Sequence, residues 1–203
     1  MTYIIASTGR AGSTAIARVI AEALPLKGMP IIMEHSDFCC HDGHAVKTHL
    51  HFKEELKGDY KAIYVYCNIG DCISSLARMP YGFCKFHLKN LEVLPKHLNV
   101  FLKILKLPLP SKVKKFFAYY YIIKDDKLRF KENIMSWKKS KHTLFVKLED
   151  IIADKDKVMS DISRHLGISL GEFQVKKRYW HKENLPFILR RLIDKTYPIN
   201  EFG

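Results

Sequence analysis

No stretch of this 203-residue chain comes near the ~18 consecutive apolar residues that a membrane-spanning helix needs. A spanning protein is therefore not expected, and contact with a bilayer would be peripheral. Also missing are the basic and apolar segments of a secretory leader, because the chain opens directly into a strand-like pattern. Five cysteines, an odd number, read most simply as free thiols in a reducing compartment, so a cytoplasmic protein is expected. No internal repeat, low-complexity tract or Gly/Ser-rich linker divides the chain, and 47% hydrophobic content is enough for a core. Residues 1–203 are thus expected to form a single domain.

Acidic residues are scarce, with 21 Asp and Glu against 34 Lys and Arg, a formal charge of +13. That surplus must face solvent or an anionic partner. Zinc-finger spacing, a basic zipper and a basic segment interleaved with aromatics are all absent, so nucleic acid is not expected. An anionic nucleotide, an acidic substrate, an anionic membrane surface, or a basic surface with no particular partner all fit the charge. The segment from His35 to His44 is dense in His and Cys but lacks paired C-x₂-C or H-x₃-H spacing, and the adjacent Cys39 and Cys40 cannot easily share one tetrahedral site. It reads as a polar loop, and no metal is expected.

What the chain does have is alternation. Apolar runs of strand length at residues 3–6, 30–33, 45–48, 62–67 and 143–146 alternate with helical spacing at 13–24, 71–79 and 155–166. This pattern predicts an α/β fold with a mainly parallel sheet flanked by helices. Ligands in such sheets gather at the carboxyl ends of the strands. From 81 to 141 no strand pattern occurs, and Pro95, Pro108 and Pro110 cut the segment into helical pieces, among them 98–107 and 113–124. These pieces mix apolar residues with lysines. They are expected either to pack on the domain as a lid or acceptor-side wall, or to lie on a membrane. Beyond Leu185 the tail is basic at Arg190 and Arg191, without a pattern that assigns its structure.

Three motifs carry chemistry. In the first, a strand from Tyr3 to Ala6 runs into Ser7-Thr8-Gly9-Arg10-Ala11-Gly12-Ser13-Thr14 and then into an alanine-rich helix. Glycines let the backbone turn sharply toward an anion, and the helix N-terminus adds partial positive charge. Arg10, Ser13 and Thr14 add side-chain donors. A Walker A loop would place glycine at Ser7 and lysine at Ser13, so ordinary ATP or GTP chemistry is disfavoured while a phosphate-bearing ligand is not. The second motif is Val46-Lys47-Thr48-His49-Leu50, and the third runs from Ile63 through Cys67-Asn68-Ile69-Gly70-Asp71 to Ser75. An imidazole can serve as a general base at neutral pH, although a histidine is also often structural. Lys47 lies two residues before His49 and so on the same face of a strand, either to steady a transferring group or as a surface cation.

In this order the motifs resemble the sulfotransferases that use 3′-phosphoadenosine 5′-phosphosulfate. A late strand, an acidic turn at Glu149 and Asp150, and a helix ending at Gly167 add to the resemblance. It implies a P-loop-like three-layer fold and transfer of a sulfuryl group to a small-molecule or carbohydrate acceptor bearing a hydroxyl or amine. On that basis the loop Gly9, Arg10, Ala11, Gly12, Ser13 and Thr14 would hold the 5′-phosphosulfate, His49 would be the base, and Ser75 would bind the 3′-phosphate. Fixed donors such as Arg10 would stabilise charge developing on the bridging oxygen.

Several positions depart from the family pattern. Cys67 replaces an arginine that would face the 3′-phosphate, Ile69 replaces a proline, and Ala15 stands where an aromatic would stack on adenine. Arg78, three residues beyond Ser75, is the candidate to restore the missing charge. No Arg-Lys-Gly motif follows, and Lys176, Lys177, Arg178, Arg190 and Arg191 are only generic cations. Two alternatives stay open: a P-loop phosphotransferase, and a sulfotransferase-fold protein that binds an anionic or membrane partner without catalysis. The aromatics Phe83, Phe86, Phe116, Phe117, Tyr119, Tyr120 and Tyr121 either line an acceptor pocket or form core.

Overall fold

The computed structural model describes residues 1–9, 11–24, 31–34, 42–54, 58–79, 85, 88–89, 91–174 and 185–198. In chain order the elements are β1 (Thr2–Ser7), α1 (Ser13–Ala23), β2 (Ile32–Glu34), β3 (Ala45–Thr48), β4 (Tyr60–Tyr66), α2 (Ile69–Ala77), α3 (Pro95–Lys106), α4 (Ser111–Ile123), α5 (Phe130–Lys138), β5 (Thr143–Lys147), α6 (Leu148–Ala153), α7 (Lys155–Leu166) and α8 (Phe187–Thr196). Among the described residues the strands form one five-stranded sheet, ordered β2-β3-β1-β4-β5, with every pairing parallel. The fold is α/β, as the alternation predicts.

The chain divides into two compact units, residues 1–67 with 133–177 and residues 68–132 with 178–203. In the first, β1 is central, and Ile4, Ile5, Ala6 and the β4 segment from Ala62 to Val65 are almost wholly buried. Strands covered on both faces need apolar residues at successive positions, which is why they read as continuous runs rather than alternating ones. Helix α1 packs on β1 and β3 through Ile16, Ala17 and Ile20, and α7 packs on β4 and β5. After β3 the chain crosses past β1 to reach β4, so the strand order reverses next to β1. The carboxyl ends of β1, β3 and β4 meet at that reversal.

In the second unit α3 and α4 form a helical hairpin. Pro95 occupies the first turn of α3, where its missing N–H costs nothing, and Pro108 and Pro110 hold the connection open. Phe101 meets Tyr119 edge-on with ring centroids 5.5 Å apart, and the Tyr121 hydroxyl pairs with His97 Nδ1 at 2.9 Å. Asp126 then starts α5 by accepting from the backbone N–H of Phe130 and Lys131, and it also accepts from the Tyr197 hydroxyl at 2.6 Å. Burial pushes the Asp126 carboxyl up from its ordinary value although those hydrogen bonds pull it down. Helix α8, unassigned from sequence, is held by buried Leu189, Ile193 and Tyr197 at four-residue spacing.

Differences from expectation are local. Helix α2 begins at Ile69 rather than 71, because the Asn68 side chain accepts from Gly70 N and caps it. The acidic turn after the late strand is the first turn of helix α6, where Glu149 and Asp150 face the positive end of the dipole. Strand β4 starts at Tyr60, two residues early, where the ladder pairs Tyr60 and Lys61 with Thr2 and Tyr3.

Trp137 is fully buried, with its Nε1 donating to Leu50 O at 3.0 Å and its ring 5.4 Å from Phe52. Trp137→Ala removes the largest fully buried side chain among the described residues and takes away the donor to that carbonyl. It is expected to cost about 3–5 kcal/mol in urea unfolding, with Trp137→Phe costing clearly less.

Candidate active site

The register of β1 against β3, Ala6 opposite Thr48, carries Ser7 and His49 side by side just beyond the paired residues. His49 Nδ1 lies 2.9 Å from the Ser7 carbonyl oxygen and 3.1 Å from Ser7 Oγ. A carbonyl oxygen only accepts, so Nδ1 carries the proton and Nε2 presents its lone pair. Lys47 Nζ sits 3.2 Å from Nε2 and donates to it, so the imidazole is neutral in this arrangement. Both side chains are about 5% exposed, which rules out the reading of Lys47 as a surface cation. Ser7 Oγ in turn donates to Ser13 Oγ at 2.9 Å and accepts from Gly9 N at 3.2 Å.

A second layer of polar groups fixes the chain behind His49. Asn133 Nδ2 donates to His49 O at 3.0 Å, and the Tyr64 hydroxyl donates to Asn133 Oδ1 at 2.6 Å. Trp137 performs the same service one residue further on, at Leu50 O. Asn133 and Tyr64 are essentially inaccessible to water. Thr48 Oγ1 accepts from Leu50 N, which closes the turn after β3. The segment bearing the imidazole is thus held at successive carbonyls.

The glycine turn has the backbone its sequence requires. Gly9 and Gly12 have φ near +80°, and Gly12 starts α1 with no side-chain cap and no acidic residue in the first turn. A Cβ at Gly12 would lie 3.2 Å from Leu148 Cδ1, so the turn is pressed against α6. Ala11 and Ser13 are buried, while Thr14 and Ala15 are exposed at the helix start. The leading N–H groups of an uncapped helix, together with two hydroxyls, suit an anion. Arg10 lies outside the described residues, as do residues 35–41 of the polar loop. Among the described residues no group of three or more His, Cys, Asp or Glu is placed to hold a metal.

Ser75 and Arg78 belong to the second unit. Ser75 is buried within α2, whereas Arg78 is exposed at the position that terminates the helix. Cys67 and Cys72 are buried. At the end of β4, burial together with the Asp150 and Glu149 carboxylates pushes the Tyr66 phenol up from its ordinary value. Seven of the nominated positions, Gly9, Ala11, Gly12, Ser13, Thr14, Lys47 and His49, fall within the first unit.

No protein-family model matches this sequence, and no curated protein sequence matches it. Among solved structures, a mouse sulfotransferase crystallised in complex with PAP matches with a TM-score of 0.52 at 19% sequence identity. The fold is that of a sulfotransferase. The match covers 84% of this chain but 60% of the mouse chain, so the likeness spans less than two-thirds of that protein.

Within this sulfotransferase fold, sequence reasoning missed Ser7, Tyr64 and Asn133. Ser7 registered only as a missing glycine, although a hydroxyl ending an apolar strand at a predicted ligand edge was itself a signal. Asn133 is the single polar member of the buried stripe Phe130, Asn133, Ile134 and Trp137, and that stripe was the available clue.

Two outcomes follow from this geometry. Asn133→Ala leaves the Tyr64 hydroxyl and the His49 carbonyl without this partner, and a loss of about 2–3 kcal/mol is expected in chemical denaturation. Nitrogen-15 NMR of the imidazoles should find His49 as the neutral Nδ1–H tautomer, and a dominant Nε2–H form would contradict the hydrogen-bond assignment.

Proposed function

We propose that this chain is a sulfotransferase that takes its sulfuryl group from 3′-phosphoadenosine 5′-phosphosulfate and delivers it to a hydroxyl or amine. The observation that carries the reading is the buried Ser7–His49–Lys47 cluster beside the uncapped start of α1. The complex of the mouse neighbour with PAP, the desulfated form of that donor, supports the choice of nucleotide. The residues present fit such a donor: two glycines with positive φ, the first N–H groups of α1, and the Ser13 hydroxyl converge on one place. When bound, the donor supplies the sulfuryl group and a phosphate leaving group.

The chain's own residues then divide the work. His49 Nε2 accepts the proton of the acceptor hydroxyl as that oxygen bonds to sulfur, while Ser7 O stabilises the resulting imidazolium through Nδ1–H. For Nε2 to be available, Lys47 must release it, and its ammonium is then free to donate to the phosphate oxygen that gains charge as the S–O bond breaks. Ser7 ties these events to the anion turn through Ser13. Arg10 is assigned to the same charge on its sequence position, and Ser75 with Arg78 to the 3′-phosphate on theirs. A small-molecule or carbohydrate acceptor is proposed, without a metal.

The first test is calorimetric titration with 3′-phosphoadenosine 5′-phosphate, with ATP and adenosine 5′-phosphosulfate in parallel. Micromolar affinity, about −8 kcal/mol, that depends on the 3′-phosphate is expected. Binding of ATP alone would move the chain to phosphotransferase chemistry, and no nucleotide binding would leave a non-catalytic anion-binding protein. In a turnover assay His49→Ala should lower kcat by ~10²–10⁴ with donor affinity nearly unchanged. Arg10→Ala should weaken donor binding as well.

A further inference from the structure

The α3–α4 hairpin has a composition that neither packing nor sulfuryl transfer accounts for. From Val93 through Lys124 there is no acidic residue, while Lys96, Lys103, Lys106, Lys112, Lys114 and Lys115 precede the final Lys124. Apolar side chains are exposed among these cations. At the hairpin tip, Leu107 and Leu109 are 44% and 39% exposed, and both flanking prolines are exposed as well. Along α4, Val113, Phe117 and Tyr120 are exposed at spacings of four and three residues, which makes one stripe, and Phe117 is half accessible. Phe116 packs against both Phe117 and Tyr120, so the stripe is a preassembled aromatic ledge.

We propose that this hairpin docks on an anionic lipid bilayer, with the leucine tip and the aromatic stripe entering the headgroup boundary and the lysines engaging acidic headgroups. Amphipathic helices that combine exposed apolar side chains with a cluster of four to eight lysines have this partner preference. Other occupants fit the surface less well. A second copy of the chain would set one acid-free hairpin against another and repel. A nucleic acid would take up the lysines but leave Leu107, Leu109 and Val113 in water. Helix α8, which packs against α4, repeats the pairing: Phe187 and Ile188 are exposed, and the Arg190 and Arg191 guanidiniums lie 5.8 and 4.6 Å from the Phe187 ring. The inference does not rest on the proposed catalytic activity. No helix among the described residues is long and apolar enough to cross a membrane.

The test is co-sedimentation of the full chain with phosphatidylcholine vesicles, with and without phosphatidylserine. Binding is expected only with phosphatidylserine, and it should fall steeply between about 0.1 M and 1 M salt as the screening length shortens from ~10 to ~3 Å. Lys103→Ala, Lys106→Ala and Lys112→Ala should each weaken binding by about fivefold. Leu107→Ser with Leu109→Ser should weaken it by roughly tenfold or more while leaving the salt dependence in place. Ile152→Ser, at a half-exposed apolar site on α6 in the other unit, should have no effect and controls for general stickiness. Equal binding to neutral vesicles, retention after both sets of substitutions, or a tip-dependent dimer in sedimentation would overturn the proposal. So would tight binding to a duplex oligonucleotide that the leucine substitutions leave unchanged, if vesicle binding is absent.

Discussion

The pairing of β1 with β3 is the constraint on which the candidate site depends. In its observed register Ser7 ends one strand where His49 leaves the other, and the imidazole can reach a carbonyl oxygen that orients it. A slip by one residue would turn Lys47 and His49 to the opposite face of the sheet and separate both from Ser7. The pairing is fixed by apolar residues with no alternative placement, since Ile4, Ile5 and Val46 are fully covered. The geometry of the candidate site is therefore inherited from core packing.

Polar groups at the ends of buried strands are costly unless each finds a partner. Here the partners form a chain that runs from Ser13 through Ser7 to His49 and Lys47, with Asn133 and Tyr64 bracing the backbone from behind. Such a network is rigid because no member can rotate without stranding another. The sulfotransferase fold supplies the sheet edge on which it is built, and the departures at Ala15 and Cys67 lie outside it.

Much of the fold was legible because strands buried on both faces leave uninterrupted apolar runs, and all five strands were found within two residues. Helix starts were harder. Asn68 caps α2 earlier than hydrophobic spacing suggests, and α6 is too short to show a period. Helix α8 was invisible because three buried anchors among exposed residues make no clear pattern until Tyr197 meets Asp126. In the candidate site, His49 was nominated because its motif resembles that of the sulfotransferases, and Lys47 because strand spacing puts it on the same face. Asn133 was not, since its role depends on a contact with a residue 84 positions earlier that no local pattern encodes.

That separation has a consequence for how the protein comes into being on the ribosome. The first unit is discontinuous, and residues 68–132 of the other unit are synthesised in the interval between its two parts. At ~5–20 residues per second, about 4–17 s pass between the emergence of His49 and that of Asn133. During that interval β4 lacks its edge neighbour β5, and the carbonyls of His49 and Leu50 lack the donors that later hold them. The nascent chain thus carries the His49 segment in an unfinished sheet, and the open edge of β4 stays unpaired until β5 arrives.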